Sequence, residues 1–218
     1  VSDTLAYSTG TLAPDSDEAL LERFLEGDDT AYTTLYQRYD RGVLTYLRTI
    51  MRDRREVADD LFQETFVKLF RERTRYRAGQ EGTEAYSPIK NFRGWLFRVA
   101  HNLAISHLRA AKIVHSINED EETHRWDERL MVTVEESYAS IYGEGTERRN
   151  EMLYEKLRSC LDLLPQALRD VYVLREVNGM EYEEVASALD ISQEAARMRL
   201  SRARRALRSA LEQYIDTE

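Results

Sequence analysis

Apolar residues recur along most of this chain at three- and four-residue intervals, the period of helices with one buried side. Leu20, Leu21, Phe24 and Leu25 mark a short first helix, with Asp15 and Glu18 spaced as a capping box and Gly27 as its end. Asp29 is placed to cap a long second helix whose buried stripe is Leu35, Tyr39, Val43, Leu47 and Ile50. A third, about Arg55–Arg73, buries Ala58, Leu61, Phe62, Thr65, Phe66 and Leu69. Residues 74–90 hold turn formers and a proline and read as a loop, long by ordinary standards. Asn91 is placed to cap a fourth helix with Phe92, Leu96, Val99, Ala100, Leu103 and Ala104 inward. Periodicity fails from Lys112 to Arg149. It resumes over 150–163 through Met152, Leu153, Leu157, Cys160 and Leu161. Leu164-Pro165 then opens a further helix, with Val171, Leu174 and Val177 inward and Gly179 as its cap.

The stretch Tyr182–Ser209 pairs two more helices. Val185, Ala186 and Leu189 share one side of the first, and Asp190-Ile191-Ser192 breaks the pattern, with Ser192 placed to N-cap the second. In that second helix Ala196, Leu200, Ala203 and Leu207 form one stripe that must face the first. The opposite side carries Glu194, Arg197, Ser201, Arg204, Arg205 and Arg208. Two helices, a turn of about three residues and a basic free face are what a helix-turn-helix needs to enter a major groove. Charged faces are usually just solvated, but those mix signs. Residues 193–210 hold six arginines against the single acid Glu194, and the planar guanidinium bonds phosphate or guanine bidentately.

Composition agrees with an all-α chain: 9 glycines and 3 prolines in 218 residues leave few tight turns for a sheet protein. The single cysteine, Cys160, excludes a disulfide framework and fits a reducing compartment. No apolar run approaches a membrane span and residues 1–15 lack the sections of a signal peptide, so a cytoplasmic protein without membrane insertion is expected. The net charge of −9 argues against nucleic acid until its distribution is considered. Residues 1–30 carry −7, 31–112 carry +7, 113–150 carry −6 and 151–218 carry −3. This divides the chain into a mobile arm (1–15), a helical domain (16–112), a flexible acidic linker (113–149) and a second small helical domain (150–218) containing the helix-turn-helix.

Opposite the buried side of the third helix lies a row of Asp60, Gln63, Glu64, Val67 and Arg71. Most such rows face only solvent; an apolar Val67 among hydrogen-bonding side chains suits a surface that docks another protein. On the fourth helix Trp95, Asn102, Ser106 and Arg109 line one edge, with Arg98 beside them. These residues suit stacking of an unpaired base and gripping of its phosphates, and they equally describe a tryptophan at the core rim beside solvated arginines. Four histidines raise metal chemistry, but His101 and His107 fall on different sides of one helix, His107 inward, and no His-Glu-x-x-His or paired-cysteine pattern exists. No cofactor, metal or small-molecule substrate is expected.

Taken in order, residues 18–211 resemble the bacterial RNA polymerase sigma factors of the extracytoplasmic function group. Three signatures carry the likeness. Asp59–Phe66, reading DDLFQETF, resembles region 2.2; Asn91–Arg109 resembles regions 2.3 and 2.4; Leu163–Leu211 resembles region 4. The resemblance implies two small helical domains on a flexible tether. It implies that Asp60, Gln63, Glu64 and Val67 dock on the coiled coil of the largest subunit of core RNA polymerase. Trp95, Arg98, Asn102, Ser106 and Arg109 would meet the promoter −10 element at the strand-opening edge. Arg197, Arg199, Ser201, Arg202, Arg204 and Arg205 would contact the −35 element, and the acidic linker would thread polymerase channels as a nucleic-acid mimic. Family habit adds an anti-sigma factor as partner. The chain departs from the family in its longer loop before Asn91, in Ser106 and Ala110 where Asp and Arg are common, and in Glu194-Ala195 where Gly-Thr usually opens the recognition helix.

The expectation is therefore a promoter-specificity subunit with no chemistry of its own. Unpairing a base costs a few kcal/mol and stacking it on an aromatic returns about 1–3, so both domains and polymerase are needed to hold an opened promoter. The rival is a stand-alone helix-turn-helix regulator, which would need a dimer interface and a two-fold operator.

Overall fold

The computed structural model describes residues 16–52, 54–82, 86–111, 156–157 and 159–215, with side chains described to residue 211. The mobile arm and acidic linker expected from the sequence lie outside these residues. Every regular element among the described residues is helical. The first unit is α1 (Asp17–Glu26), α2 (Asp29–Met51), α3 (Arg55–Gln80) and α4 (Phe92–Ala110). The second has a helical stretch over 156–163, position 158 excepted, then α5 (Gln166–Tyr172), α6 (Tyr182–Leu189) and α7 (Gln193–Ile215).

Two caps differ from expectation by one residue. Ser16, not Asp15, starts α1, its hydroxyl accepting from the Ala19 N–H at 3.2 Å. Asp28, not Asp29, caps α2, accepting from the N–H groups of Thr30 and Ala31 and pairing with Arg23 at 2.6 Å. The Thr30 hydroxyl and the Arg23 guanidinium hold its carboxyl down at about 2. Asp29 instead reaches Arg73 of α3 at 2.6 Å.

The third helix does not stop at Arg73. It runs on to Gln80, so the loop expected over 74–90 starts only at Glu81. The extra turns are tied down by contacts distant in sequence or one turn back. Tyr76 meets Tyr86 edge-on with centroids 5.3 Å apart, Arg75 bonds the buried Glu72 at 2.8 Å, and the chain turns at Gly82 with φ +71.

Aromatic rings fill the first unit. Tyr36 lies 4.7 Å from Phe66, and Tyr46, fully buried, packs against Phe97 at 5.7 Å. Phe97, which the apolar pattern does not place on the inner face of α4, is core; Val99 and Leu103 are only half-buried. In the second unit Ala196, Leu200, Ala203 and Leu207 are all buried as expected. Val177 is not: it is 53% exposed. The end of α5 opens into a π-helical turn, Val173–Val177, in which the Asn178 N–H donates to the Val173 carbonyl five residues back at 2.9 Å. The wider turn changes the phase, so Val173 and Leu174 are buried and Val177 is turned out.

The two units pack on each other through α4 and α6, and one buried cluster runs from Leu20 through Phe97 to Val185 and Leu200. A smaller cluster, Cys160, Leu161, Leu164 and Leu168 with Ala203, Ala206, Leu207 and Ala210, seals the start of the second unit onto α7. Two helical glycines, Gly42 inside α2 and Gly94 in the first turn of α4, sit where the units meet. A Cβ on Gly42 would fall 2.7 Å from the Asn178 Oδ1, and one on Gly94 would fall 3.0 Å from the Ser187 Oγ. Glycine inside a helix costs about 1 kcal/mol relative to alanine; here the missing Cβ permits close approach.

Candidate nucleic-acid interface

Helix α7 presents the arginine face. Asp190 takes the left-handed conformation (φ 56, ψ 47) that lets the chain reverse after α6, and the Ser192 hydroxyl accepts from the Ala195 N–H at 3.0 Å. With the alanine and leucine stripe committed to the core, Arg197, Ser201, Arg202, Arg204 and Arg205 are exposed. Arg197 lies against the Tyr182 ring at 5.1 Å, and Arg204 pairs with Glu176 at 2.6 Å. Arg199 differs. It is half-buried and turned toward the junction, where its charge acts on Asp170.

Helix α4 carries the second candidate set. Asn102, Ser106 and Arg109 lie along its length and are all exposed, while Trp95 is half-buried with its ring stacked on Phe92 at 6.3 Å. Arg98 already has partners in the second unit: its Nε donates to the Ser187 carbonyl and one terminal nitrogen to the Asp190 carboxylate, each at 2.8 Å. Arg93, which the sequence pattern does not single out, donates to the carbonyls of Asn178 and Gly179 and to Glu184. Its legible sign is its place beside Gly94 on the same helix as Arg98, but nothing in the spacing says what approaches.

A buried polar knot lies behind these contacts. Tyr46 of α2 and His101 of α4 are joined at 2.9 Å, and the same His101 Nδ1 stands 3.7 Å from the Asp170 carboxylate of α5. It is thus His101 that faces the interior junction, where the pattern pointed to His107. Burial drives the two groups toward neutrality from opposite sides: the Asp170 carboxyl rises to about 7 and the His101 imidazole falls to about 4. Beside them the buried Arg169 donates to the Leu164 carbonyl at 2.7 Å, and burial lowers it to about 10. No group of three or more His, Cys, Asp or Glu side chains among the described residues is arranged to hold a metal ion, nor is any described helix long and apolar enough to cross a membrane.

The acidic row on α3 is where the pattern puts it, with Asp60, Gln63 and Glu64 on the outer side and Val67 46% exposed. Beside it Phe70, which the row does not include, is 50% exposed. The two border a groove of about 280 Å³ between α2 and α3, lined by Tyr32, Tyr36, Phe62, Gln63, Phe66, Val67 and Phe70. An excess of apolar positions over the 3.6-residue stripe, at Val67 and Phe70, is its legible sign.

Comparison with known proteins agrees with this layout. Residues 35–113 match the family Sigma-70 region 2, and residues 154–207 match Sigma-70, region 4. The RNA polymerase sigma-H factor of Pseudomonas aeruginosa is 29% identical over 211 residues, covering 92% of this chain and 96% of that protein. The ECF RNA polymerase sigma-E factor of Haemophilus influenzae is 30% identical over 213 residues, covering 90% and 96%. Among solved structures, CnrH in complex with the cytosolic domain of CnrY has the same fold, with a TM-score of 0.56 at 23% identity, covering 91% of this chain and 99% of that one. With both regions present in order, and a relative at 30% identity spanned almost end to end, the chain belongs to the extracytoplasmic function group of the sigma-70 family of RNA polymerase sigma factors.

Proposed function

We propose that this sigma factor divides its work among three surfaces: α3 and its groove for core RNA polymerase, the outer edge of α4 for the promoter −10 element, and the arginine face of α7 for the −35 element. The observation that carries the reading is the set of exposed α7 arginines on a helix whose other side is wholly committed to the core. Arg197, Ser201, Arg202, Arg204 and Arg205 form the DNA face, with Arg199 at its inner margin. Such a helix bonds phosphates and guanine edges without rearranging its packing.

The α4 edge requires a preliminary step. Arg98 now bonds a carbonyl and a carboxylate, and promoter phosphates would replace those oxygens once α6 has moved away. Trp95, Asn102, Ser106 and Arg109 then receive the opened strand, with Trp95 stacking on an unpaired base. Binding to polymerase favours the separated arrangement by holding the two units apart. The protein contributes binding and no bond chemistry, and it works where polymerase works, in the cytoplasm. An anti-sigma factor is the natural restraining partner; the solved likeness is of CnrH in complex with the cytosolic domain of CnrY.

Two experiments test the scheme. Purified chain added to core polymerase should direct initiation from promoters recovered by selection with the reconstituted holoenzyme; failure to support any specific initiation removes the reading. For docking, Gln63→Ala with Glu64→Ala should lower core affinity, and Phe70→Ala should lower it further by taking an aromatic out of the groove. Unchanged core affinity in both rejects α3 as the polymerase surface. A stand-alone regulator would need neither the acidic row nor the groove, and size-exclusion with core polymerase separates the two.

A further inference from the structure

The π-helical turn at the end of α5 places two consecutive side chains beneath the recognition helix. Arg175 is fixed by hydrogen bonds to the Met180 carbonyl at 2.6 Å and to Glu181 at 3.2 Å, and its guanidinium lies 5.0 Å from the centroid of the Tyr182 ring. The guanidinium of Arg197 lies against the same ring at 5.1 Å. The neighbouring residue, Glu176, holds Arg204 at 2.6 Å. Tyr182 is half-buried, packed against the main core, so the ring is a platform with little freedom. Arg197, in contrast, is exposed near the start of its helix.

We propose that Tyr182, braced by Arg175, is a positioning residue for −35 recognition: its ring fixes the plane of the Arg197 guanidinium and leaves that group's N–H donors for DNA. The inference rests on the −35 reading of α7. A guanidinium is planar and presents its donors in that plane, while a ring face attracts it through the quadrupole without accepting an in-plane hydrogen bond. Stacking therefore orients the fork and leaves its donors unspent. A long arginine side chain free in solvent would have to be ordered on binding, at the expense of rotamer entropy.

The test uses the full chain reconstituted with core polymerase, and duplex promoter DNA recovered by selection together with its single-base −35 variants. Tyr182→Leu should weaken binding about two- to five-fold, the effect of losing a partly exposed cation–π contact, and should flatten discrimination at the base or bases that Arg197→Ala also flattens. Tyr182→Phe should restore both, because the ring remains. In the Arg197→Ala background, Tyr182→Leu should have no additional effect. Tyr182→Leu that matches wild type while Arg197→Ala weakens binding overturns the positioning role and leaves the −35 reading intact. Arg197→Ala without effect removes both. If Tyr182→Phe is as weak as Tyr182→Leu, the hydroxyl and not the ring is the active part, and the proposal fails. Thermal melting and core affinity of each variant separate misfolding from a local loss. The Phe rescue and the double variant keep the test decisive even if the leucine variant is destabilised.

Discussion

Arg98 of α4 and Arg197 of α7 are both engaged by other parts of the chain, but they are engaged by different chemistry. Arg98 spends its donors on the Ser187 carbonyl and the Asp190 carboxylate, oxygen acceptors of the kind that a phosphate offers. Arg197 rests on a ring, which orients a guanidinium without taking the bonds that DNA would make. On the proposed assignment the first arrangement would compete with promoter binding and the second would prepare for it. On that assignment, Arg197 thus stands ready for the −35 element, while Arg98 of the −10 set is held by α6 and the turn that follows it.

The largest effect should come from forcing α6 off α4. Charge reversal at Asp190 would do so, but it would also raise DNA affinity through its own added charge. Gly42→Leu avoids that confusion. A Cβ there already stands 2.7 Å from the Asn178 Oδ1 and 3.5 Å from the Phe97 ring, and Asn178 is held in place by its own bond to the Val173 carbonyl at 3.1 Å. A leucine at 42 must part α2 from the end of α5. The apparent affinity of a site scales with the fraction of molecules in which it is accessible. For the free chain, binding to a single-stranded −10 segment should rise about ten-fold or more on that basis, with −35 duplex binding unchanged. Fluorescence anisotropy with both probes reads the difference. Equal gains on both probes would mean that the two faces are not differently covered.

A smaller effect sharpens the same contrast. In the free chain Arg197→Ala and Arg202→Ala should each weaken −35 duplex binding and lower the slope of log affinity against log salt by about one unit. Arg98→Ala in the free chain should change −10 binding little, since that side chain is occupied, and should weaken it in the holoenzyme, where the proposed scheme has α6 displaced. A free-chain loss for Arg98→Ala as large as the holoenzyme loss would show that its hydrogen bonds across the junction are not maintained in solution.

The face that carries Arg197 is the more legible in sequence, for a physical reason. Ala196, Leu200, Ala203 and Leu207 are small or branched residues on one stripe of one helix, so burying them fixes the direction of every arginine between them. The hold on Arg98 depends on what meets across the chain. Gly42 and Gly94 interrupt good helical sequence, which signals a close approach, but the atoms that approach belong to residues far along the chain, Asn178 and Ser187. The same limit explains the end of α3. Residues 74–80 have no apolar stripe and are held in the helix as Tyr76 finds Tyr86 and Arg75 finds Glu72. Val177 departs from its expected place for a different cause. A one-residue widening of the turn at Val173–Val177 is invisible to a fixed 3.6-residue period and rotates everything after it. The groove beside the acidic row falls between these cases: Val67 and Phe70 stand out as apolar positions beyond the stripe, but the rings that complete it, Tyr32 and Tyr36, come from another helix.

The smallest effect is a pH dependence of the junction itself, and its size is set by two opposed groups. Asp170 is raised from 3.8 to about 7, so between those values the folded chain keeps a proton that the unfolded chain has released, and stability falls as pH rises. His101 is lowered from 6.5 to about 4, so between those values the unfolded chain binds a proton that the folded chain lacks, and stability rises with pH. The groups facing them are Tyr46 from α2, Gln166 and Arg169 from α5, Arg199 from α7 and, more distantly, Arg109. From about pH 4 to 6.5 the two slopes oppose each other and the net change is small. From 6.5 to 7 only the Asp170 slope remains; at about 1.4 kcal/mol per pH unit, the loss is under about 1 kcal/mol. Asp170→Asn removes the falling slope and should leave a chain whose stability rises from about pH 4 to 6.5 and is level above it. Chemical denaturation at closely spaced pH steps measures both curves. If the asparagine variant follows the wild-type curve, the carboxyl at 170 is not the group that titrates in the junction.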